Sequence, residues 1–228
     1  MELNKIINAD SINEMKNMEP ECIDLLITDP PYKTISGGCK DGKNSVRPKG
    51  MLSRNSNKLF EFQNVNILDW MPEVYRVLKY SSHAYIFTNS LNLTDMLNES
   101  LKVGFKLHNL LIWEKQNVTP SQYYMKNCEY VLFLRKGKAK WINNIGGSKT
   151  VHKFNNIIGN KTHPCEKPVD LLKFYILNSS DEGNIVFDPF CGTASTLVAA
   201  YETNRRFLGY EIDKKYFEIG RQKIISLG

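Results

Sequence analysis

The chain has 228 residues, 42% of them hydrophobic and 24% charged, with a formal net charge of +6. That is the composition of an ordinary globular protein with room for one sizeable core, and the positive balance points to a polyanionic partner. Five cysteines without paired short spacing argue against a disulfide framework or a zinc site, and no stretch approaches the ~20 apolar residues of a membrane helix.

In chain order, Lys5 to Asn8 reads as a short strand ending at Ala9 and Asp10, and Ser11 to Asn17 as a helical turn capped by Ser11. The apolar run from Cys22 to Thr28 reads as a buried parallel strand. It stops at Asp29, Pro30, Pro31 and Tyr32, because two prolines cannot continue a ladder. In open α/β sheets, ligands collect at this carboxyl edge. Asp29 offers an anionic acceptor and the Pro30 carbonyl a second one, while neither proline carries an N–H. Such a wall suits an exocyclic amino group on a nucleobase, with both amino hydrogens held and the lone pair aimed outward. Tyr32 supplies a ring on which a base can stack.

Residues 33–58 carry seven basic side chains, among them Lys43, Arg47 and Lys49, against the single acid Asp41, together with four glycines and few large apolar groups. We read this stretch as a mobile loop that closes on phosphates, and neutralising those three residues is then expected to reduce the salt dependence of nucleic-acid affinity. Helical spacing follows from Phe60 to Lys79, interrupted at Pro72. His83 to Thr88 reads as a strand, Leu91 to Val103 as a helix, Lys106 to Trp113 as a strand ending at Glu114 and Lys115, and Glu129 to Arg135 as another strand. Residues 136–162 are basic, rich in Gly and Asn, and poorly periodic, with Trp141 among the lysines; both a linker and a nucleic-acid contact fit that pattern.

After His163 to Pro168 comes an amphipathic helix from Val169 to Leu177. Asn184 to Phe187 reads as a second buried strand, ending in Asp188, Pro189, Phe190, Cys191, Gly192, Thr193 and Ala194, with a small-residue helix from Ser195 to about Glu202. Strand, tight loop and helix open a nucleotide-handling unit in which Gly192 permits close backbone approach. Arg206 to Tyr210 is the next strand and ends in Glu211, about 20 residues past the loop, where a carboxylate can hold ribose hydroxyls. The loop lacks the GxGxxG pattern, which disfavours a nicotinamide cofactor and a reductase. Asp213 caps a last helix, Lys214 to Leu227.

With these pieces in place, the chain from about Asn8 onward resembles the S-adenosylmethionine-dependent amino-methyltransferases of DNA, in the permuted class β, where the DPPY motif precedes the cofactor motif. The resemblance implies a single α/β domain over residues 1–228. Its fold is the Rossmann-like methyltransferase fold, a mixed, mostly parallel sheet with helices on both faces. By the same resemblance, Asp29, Pro30, Pro31 and Tyr32 are the catalytic motif, and Asp188 to Thr193, with Pro189, Phe190 and Gly192, the cofactor loop. Glu211 is the ribose-binding acid, Asp10 the acid near the cofactor adenine, and Lys167 and Pro168 belong to the segment that wraps the methionine end. No metal is called for. Residues 136–162 fall where a short target-recognition insertion is expected.

The implied reaction is methylation of the adenine N6 amino group in duplex DNA. Alternatives are the cytosine N4 amino group, adenine in RNA, or a non-catalytic DNA-binding subunit; serine in place of Asp29 is commoner in the cytosine enzymes. The implied setting is the cytoplasm of a bacterium or of a phage host, at the nucleoid DNA, with a homodimer or a second methyltransferase subunit as protein partner. One departure stands in the cofactor loop: Ala194 occupies the place of a second glycine, which is harmless where the backbone angles are ordinary.

Overall fold

The computed structural model describes residues 2–31, 65–119, 124–157 and 166–227. Tyr32, Lys43, Arg47, Lys49 and the rest of the basic loop lie outside the described residues, as do His163, Pro164 and Cys165.

In chain order the described elements are β1 (Lys5–Asn8), α1 (Ser11–Lys16), β2 (Ile23–Thr28), α2 (Ile67–Val77), β3 (Leu78–Thr88), α3 (Leu93–Lys102) and β4 (Lys106–Thr119). There follow β5 (Lys126–Arg135), β6 (Val151–Lys153), α4 (Val169–Ser179), β7 (Ile185–Asp188), α5 (Ser195–Tyr201), β8 (Arg206–Glu211) and α6 (Lys214–Ile225). The strands form one sheet in the order β1-β8-β7-β2-β3-β5-β4-β6. From β1 to β3 all neighbours are parallel; β5 runs antiparallel to both β3 and β4, and β6 is parallel to β4. This is the mixed, mostly parallel sheet expected from the sequence.

Alternation along each strand divides the core. Leu25, Ile27, Tyr85, Phe87, Val131 and Phe133 face α4 and α5, whereas Ile23, Leu26, Ala84, Ile86, Leu132 and Leu134 face the side of α1, α2 and α3. Central strands covered on both faces read as unbroken apolar runs, which is why β2 and β5 stand out in the sequence.

Several boundaries differ from the sequence expectation. Asp10, not Ser11, caps α1, its carboxylate accepting from the Ile12 N–H at 2.9 Å. Pro72 does not interrupt α2: it lies on the exposed face, so the Leu68 carbonyl that loses its partner is open to water. The helix instead stops at Val77, and β3 begins at Leu78, five residues earlier than the apolar run indicates. β4 runs on to Thr119 and β5 starts at Lys126, so their hairpin projects past the end of β3. β6 was not visible in the sequence, being three residues long on an outer strand.

Candidate active site

Going outward from the middle of the sheet, the chain leaves β7 toward β8 and leaves β2 in the opposite direction, toward β3. The crevice between the carboxyl ends of β2 and β7 is therefore the topological switch point, where open α/β sheets bind ligands. Both sequence motifs end there. Asp29 follows β2, and residues 188–194 follow β7; Thr28 at the end of β2 donates to Asp188 Oδ1 at 2.8 Å, joining the two motifs directly.

Asp188 is buried, and its carboxylate is fully engaged inside the protein. Besides Thr28, Thr196 Oγ1 donates to Oδ2 at 2.7 Å and the Phe190 N–H to Oδ1 at 3.1 Å. Burial pushes this carboxyl up to about 6 in spite of those three donors. The side chain thus shapes the loop rather than lining its mouth. Pro189 is buried beside it, and Phe190 stands edge-on to Trp70, ring centroids 5.5 Å apart.

The next turn carries the strain. Gly192 has φ +53°, and a Cβ placed on it would meet nothing within 4 Å, so open space lies against this stretch of backbone. Ala194, the N-cap of α5, has φ 67° and ψ 24°. Its angles are left-handed rather than ordinary, so the alanine in the glycine's place is strained, by roughly 1–2 kcal/mol for an L-residue in this region. Glu211 closes the loop from β8. Its Oε2 accepts from the Gly192 N–H at 2.9 Å and its Oε1 from the Asp213 N–H at 2.7 Å, while burial raises its carboxyl above the usual range. A carboxylate has about four acceptor positions, so these two bonds leave capacity for ribose hydroxyls. Asn8 Nδ2 donates to the carbonyls of Glu211 (2.7 Å) and Ile212 (3.1 Å), which ties the end of β1 to the end of β8. Asp10 is exposed, and Asn13 Nδ2 donates to its Oδ2 at 3.1 Å.

On the other side of the crevice Lys167 is buried and its ammonium pairs with Asp29 Oδ2. Pro168 starts α4 as its N-cap. The neighbouring Glu166 pairs with Lys223 of α6, which also reaches Thr193 Oγ1 at 3.4 Å, so the segment before α4 is tied to the cofactor loop. Pro30 is buried and Pro31 half-buried. All the sequence-derived site residues within the described region thus converge on one edge.

Sequence reasoning missed two members of the site, Glu129 and Lys115. Glu129 Oε2 lies 3.3 Å from the Lys167 ammonium, and its Oε1 pairs with Lys115. Burial alone would push the Glu129 carboxyl up, but the charges of Lys167 and Lys115 outweigh it and hold the group below the usual range. No signal in the sequence marks Glu129 or Lys115: the antiparallel pairing of β5 with β3 and β4, which sets Glu129 at the edge where β3 ends, is visible only in the fold.

Residues 136–157 divide by position. The Lys136 ammonium is buried, donating to the Leu78 carbonyl at 2.6 Å, which removes it from the basic surface expected of this stretch. The Lys140 carbonyl meets His83 Nε2 at 3.2 Å and Asn143 Nδ2 donates to the Leu177 carbonyl at 2.9 Å, so this part packs at the end of the sheet remote from Asp29. With β6, Lys153 reaching Glu114 at 3.4 Å, the chain returns toward the catalytic edge.

A mixed, mostly parallel sheet whose switch point joins an Asp-Pro-Pro motif to a glycine loop and a strand-end carboxylate is the architecture expected of an amino-methyltransferase. Residues 23–222 match the DNA methylase family, and the chain belongs to it. It is 27% identical to the type II methyltransferase M2.DpnII of Streptococcus pneumoniae over 96% of this chain and 88% of that protein. It is also 27% identical to the DNA adenine methyltransferase YhdJ of Escherichia coli, over 98% of this chain and 83% of the relative. The fold is that of M1.HpyAVI, solved in complex with SAM: TM-score 0.71 at 23% identity, covering 96% of this chain and 98% of the other. Among the described residues no group of His, Cys, Asp and Glu is arranged to hold a metal ion, and no helix is long and apolar enough to cross a membrane.

Proposed function

We propose that this protein transfers a methyl group from S-adenosylmethionine to the exocyclic N6 amino group of adenine in duplex DNA. The observation that carries the reading is the junction at the switch point: Asp29, held by Lys167, stands across one crevice from the Gly192 loop and Glu211. The open space against Gly192 and the spare acceptor capacity of Glu211 fit a nucleoside-type cofactor with a ribose. Gly192 and Thr193 would approach it through backbone, Phe190 would pack on it, Glu211 would take the ribose hydroxyls, Asp10 would face its adenine, and Lys167 and Pro168 would flank its amino-acid end. Bound there, S-adenosylmethionine supplies an electrophilic methyl group.

The remaining work belongs to the chain. An adenine must be turned out of the duplex to reach the edge, and Tyr32 is the ring proposed to stack on it. Asp29 accepts one amino hydrogen and the Pro30 carbonyl the other, which draws the nitrogen lone pair out of the ring and aims it across the crevice. Because Asp29 accepts from one amino N–H, it is also the group proposed to take the proton the nitrogen loses after transfer. Alignment of the two reactants supplies much of the rate. Adenine is favoured over cytosine by aspartate at position 29 and by the name of the Escherichia coli relative. Lys43, Arg47 and Lys49 are proposed to neutralise DNA phosphates, and the later part of the 136–162 stretch, from Val151 onward, to read the target. The protein would act on cytoplasmic DNA as a homodimer or beside a second methyltransferase subunit.

Incubation of the purified protein with S-adenosylmethionine and mixed-sequence duplex DNA or RNA, followed by nucleoside mass spectrometry, tests this. N6-methyladenine from DNA is expected. Methylcytosine would change the base, preference for RNA would overturn the substrate, and cofactor binding without product would overturn autonomous catalysis.

A further inference from the structure

We propose that Glu129 is a positioning residue for this reaction, acting on Asp29 through Lys167, with Lys115 as the counter-charge that holds Glu129 in place. The inference rests on the function proposed above. Four charges alternate along one line at the catalytic edge: Lys115 on β4, Glu129 on β5, Lys167 before α4, and Asp29 after β2. Three separate stretches of chain are needed to bring them to Asp29, and the antiparallel register of β5 does it, since Tyr130 pairs with Thr88 and Glu129 with Trp113. The Lys167 ammonium also sits 5.0 Å from the Phe87 ring centroid, and Lys115 4.8 Å from that of Trp113, so both cations lie over aromatic faces.

The contact between Glu129 Oε2 and Lys167 differs from the others. That oxygen is shielded from solvent and stands 3.3 Å from the ammonium, a longer contact than the one Lys167 makes to Asp29. It therefore acts on Lys167 chiefly by charge. The ammonium is shared between two carboxylates, one of which is the acceptor for the substrate amino group. Were Glu129 neutral, Lys167 would bear more fully on Asp29, and a carboxylate so neutralised is a weaker acceptor for amino hydrogens. Were Lys115 neutral, Glu129 would draw Lys167 away from Asp29 and raise its basicity.

A purely structural ion pair looks different in this protein. At the amino end of β2, Asp24 binds Lys79 at 2.6 Å and accepts from the Ile185 N–H at 2.9 Å, which locks β7 to β2 and ends on backbone. The Lys115–Glu129–Lys167 line ends on Asp29. Buried ion pairs add little net stability, so a four-charge line beside the reacting centre is better accounted for by placement of charge than by folding.

The described ionisable groups bearing on Asp29 are Lys167, Glu129 and, behind it, Asp188; Lys115 and Tyr175 bear on Glu129. The test is the single-turnover rate against pH, with S-adenosylmethionine affinity measured separately by calorimetry, for the full chain and its Glu129→Gln, Glu129→Asp and Lys115→Met variants. Glu129→Gln is expected to slow methyl transfer roughly 10–100-fold, the scale of a misplaced reacting group, with cofactor affinity unchanged. Its acid limb moves to lower pH, because Asp29 loses a repelling neighbour. Glu129→Asp recovers most of the rate. Lys115→Met moves the acid limb the opposite way, to higher pH.

A wild-type rate in Glu129→Gln, or a loss of cofactor affinity equal to the loss of rate, overturns the proposal. Should Glu129→Gln fail to fold, Lys115→Met decides alone, and an acid limb that stays in place overturns the proposal. Absence of methylated adenine from the wild-type chain sinks the proposed function and this inference together; activity that the variants leave untouched sinks the inference alone.

Discussion

β3 and β5 run through two buried polar networks, one at each end, and the two are built on opposite electrostatic plans. At the catalytic edge the groups are charged and alternate in sign, from Lys115 to Asp29. At the other end they are neutral: Ser179 Oγ lies 2.8 Å from His83 Nδ1 and 2.7 Å from the Tyr85 hydroxyl. Burial pushes His83 down to about 4 and raises the Tyr85 hydroxyl, so both stay uncharged at neutral pH. Next to them is a cavity of about 460 Å³ bordered by Phe133, Trp141 and Phe174. The same low-dielectric interior accepts a charge where opposite charges or several hydrogen bonds offset its desolvation, and shifts a less compensated group such as His83 toward neutrality.

The largest expected effect breaks the charged network. Asp29→Ala should reduce methylation by about 10³-fold or more, on the scale of losing one electrostatic contact to the reacting group, with S-adenosylmethionine binding largely kept. Glu211→Ala should instead weaken the cofactor by roughly 10–100-fold, the worth of a charge-assisted hydrogen bond. Calorimetric titration of both variants separates these roles; equal loss of cofactor affinity would erase the division.

The neutral network should respond to acid. His83 has its folded value about 4, below the ordinary 6.5, so its contribution to stability is present above pH 6.5 and is lost as pH falls toward 4. Asp188 runs the other way in the overlapping range, because its folded value of about 6 lies above the ordinary 3.8 and the native state gains relative stability as pH falls through 6. The two oppose each other, so the effect is read by difference. His83→Gln should cost stability at pH 7, and the gap to wild type should narrow by roughly 2–3 kcal/mol at pH 4.5 in urea unfolding. A constant gap would show that His83 is not held neutral.

The smallest effect concerns the cofactor loop. Ala194→Gly should relieve the left-handed alanine but remove a methyl that packs where α6 passes, since a Cβ at Gly220 would come within 3.1 Å of it. A net gain under about 1 kcal/mol is expected, seen as a small rise in Tm.

Legibility followed locality. β2 with Asp29, β7 with its loop, and β8 with Glu211 could all be read, because each combines an apolar run with the residues that end it. Helix limits were less legible: Pro72 looked like a breaker until its place on the solvent face of α2 was known. Lys136 looked like surface charge until its ammonium was found against the Leu78 carbonyl.

Glu129 and Lys115 were beyond reach for a different reason. The hairpin of β4 and β5 sets them opposite Lys167, whose partner Asp29 is 138 positions away in the chain. By itself the sequence determined the order of the motifs, the strand ends that carry them and hence the class of chemistry, because those depend on neighbours along the chain. Only the tertiary structure decided how charge is shared at Asp29, since Coulomb interactions in a buried site depend on distances that sheet order and antiparallel register create.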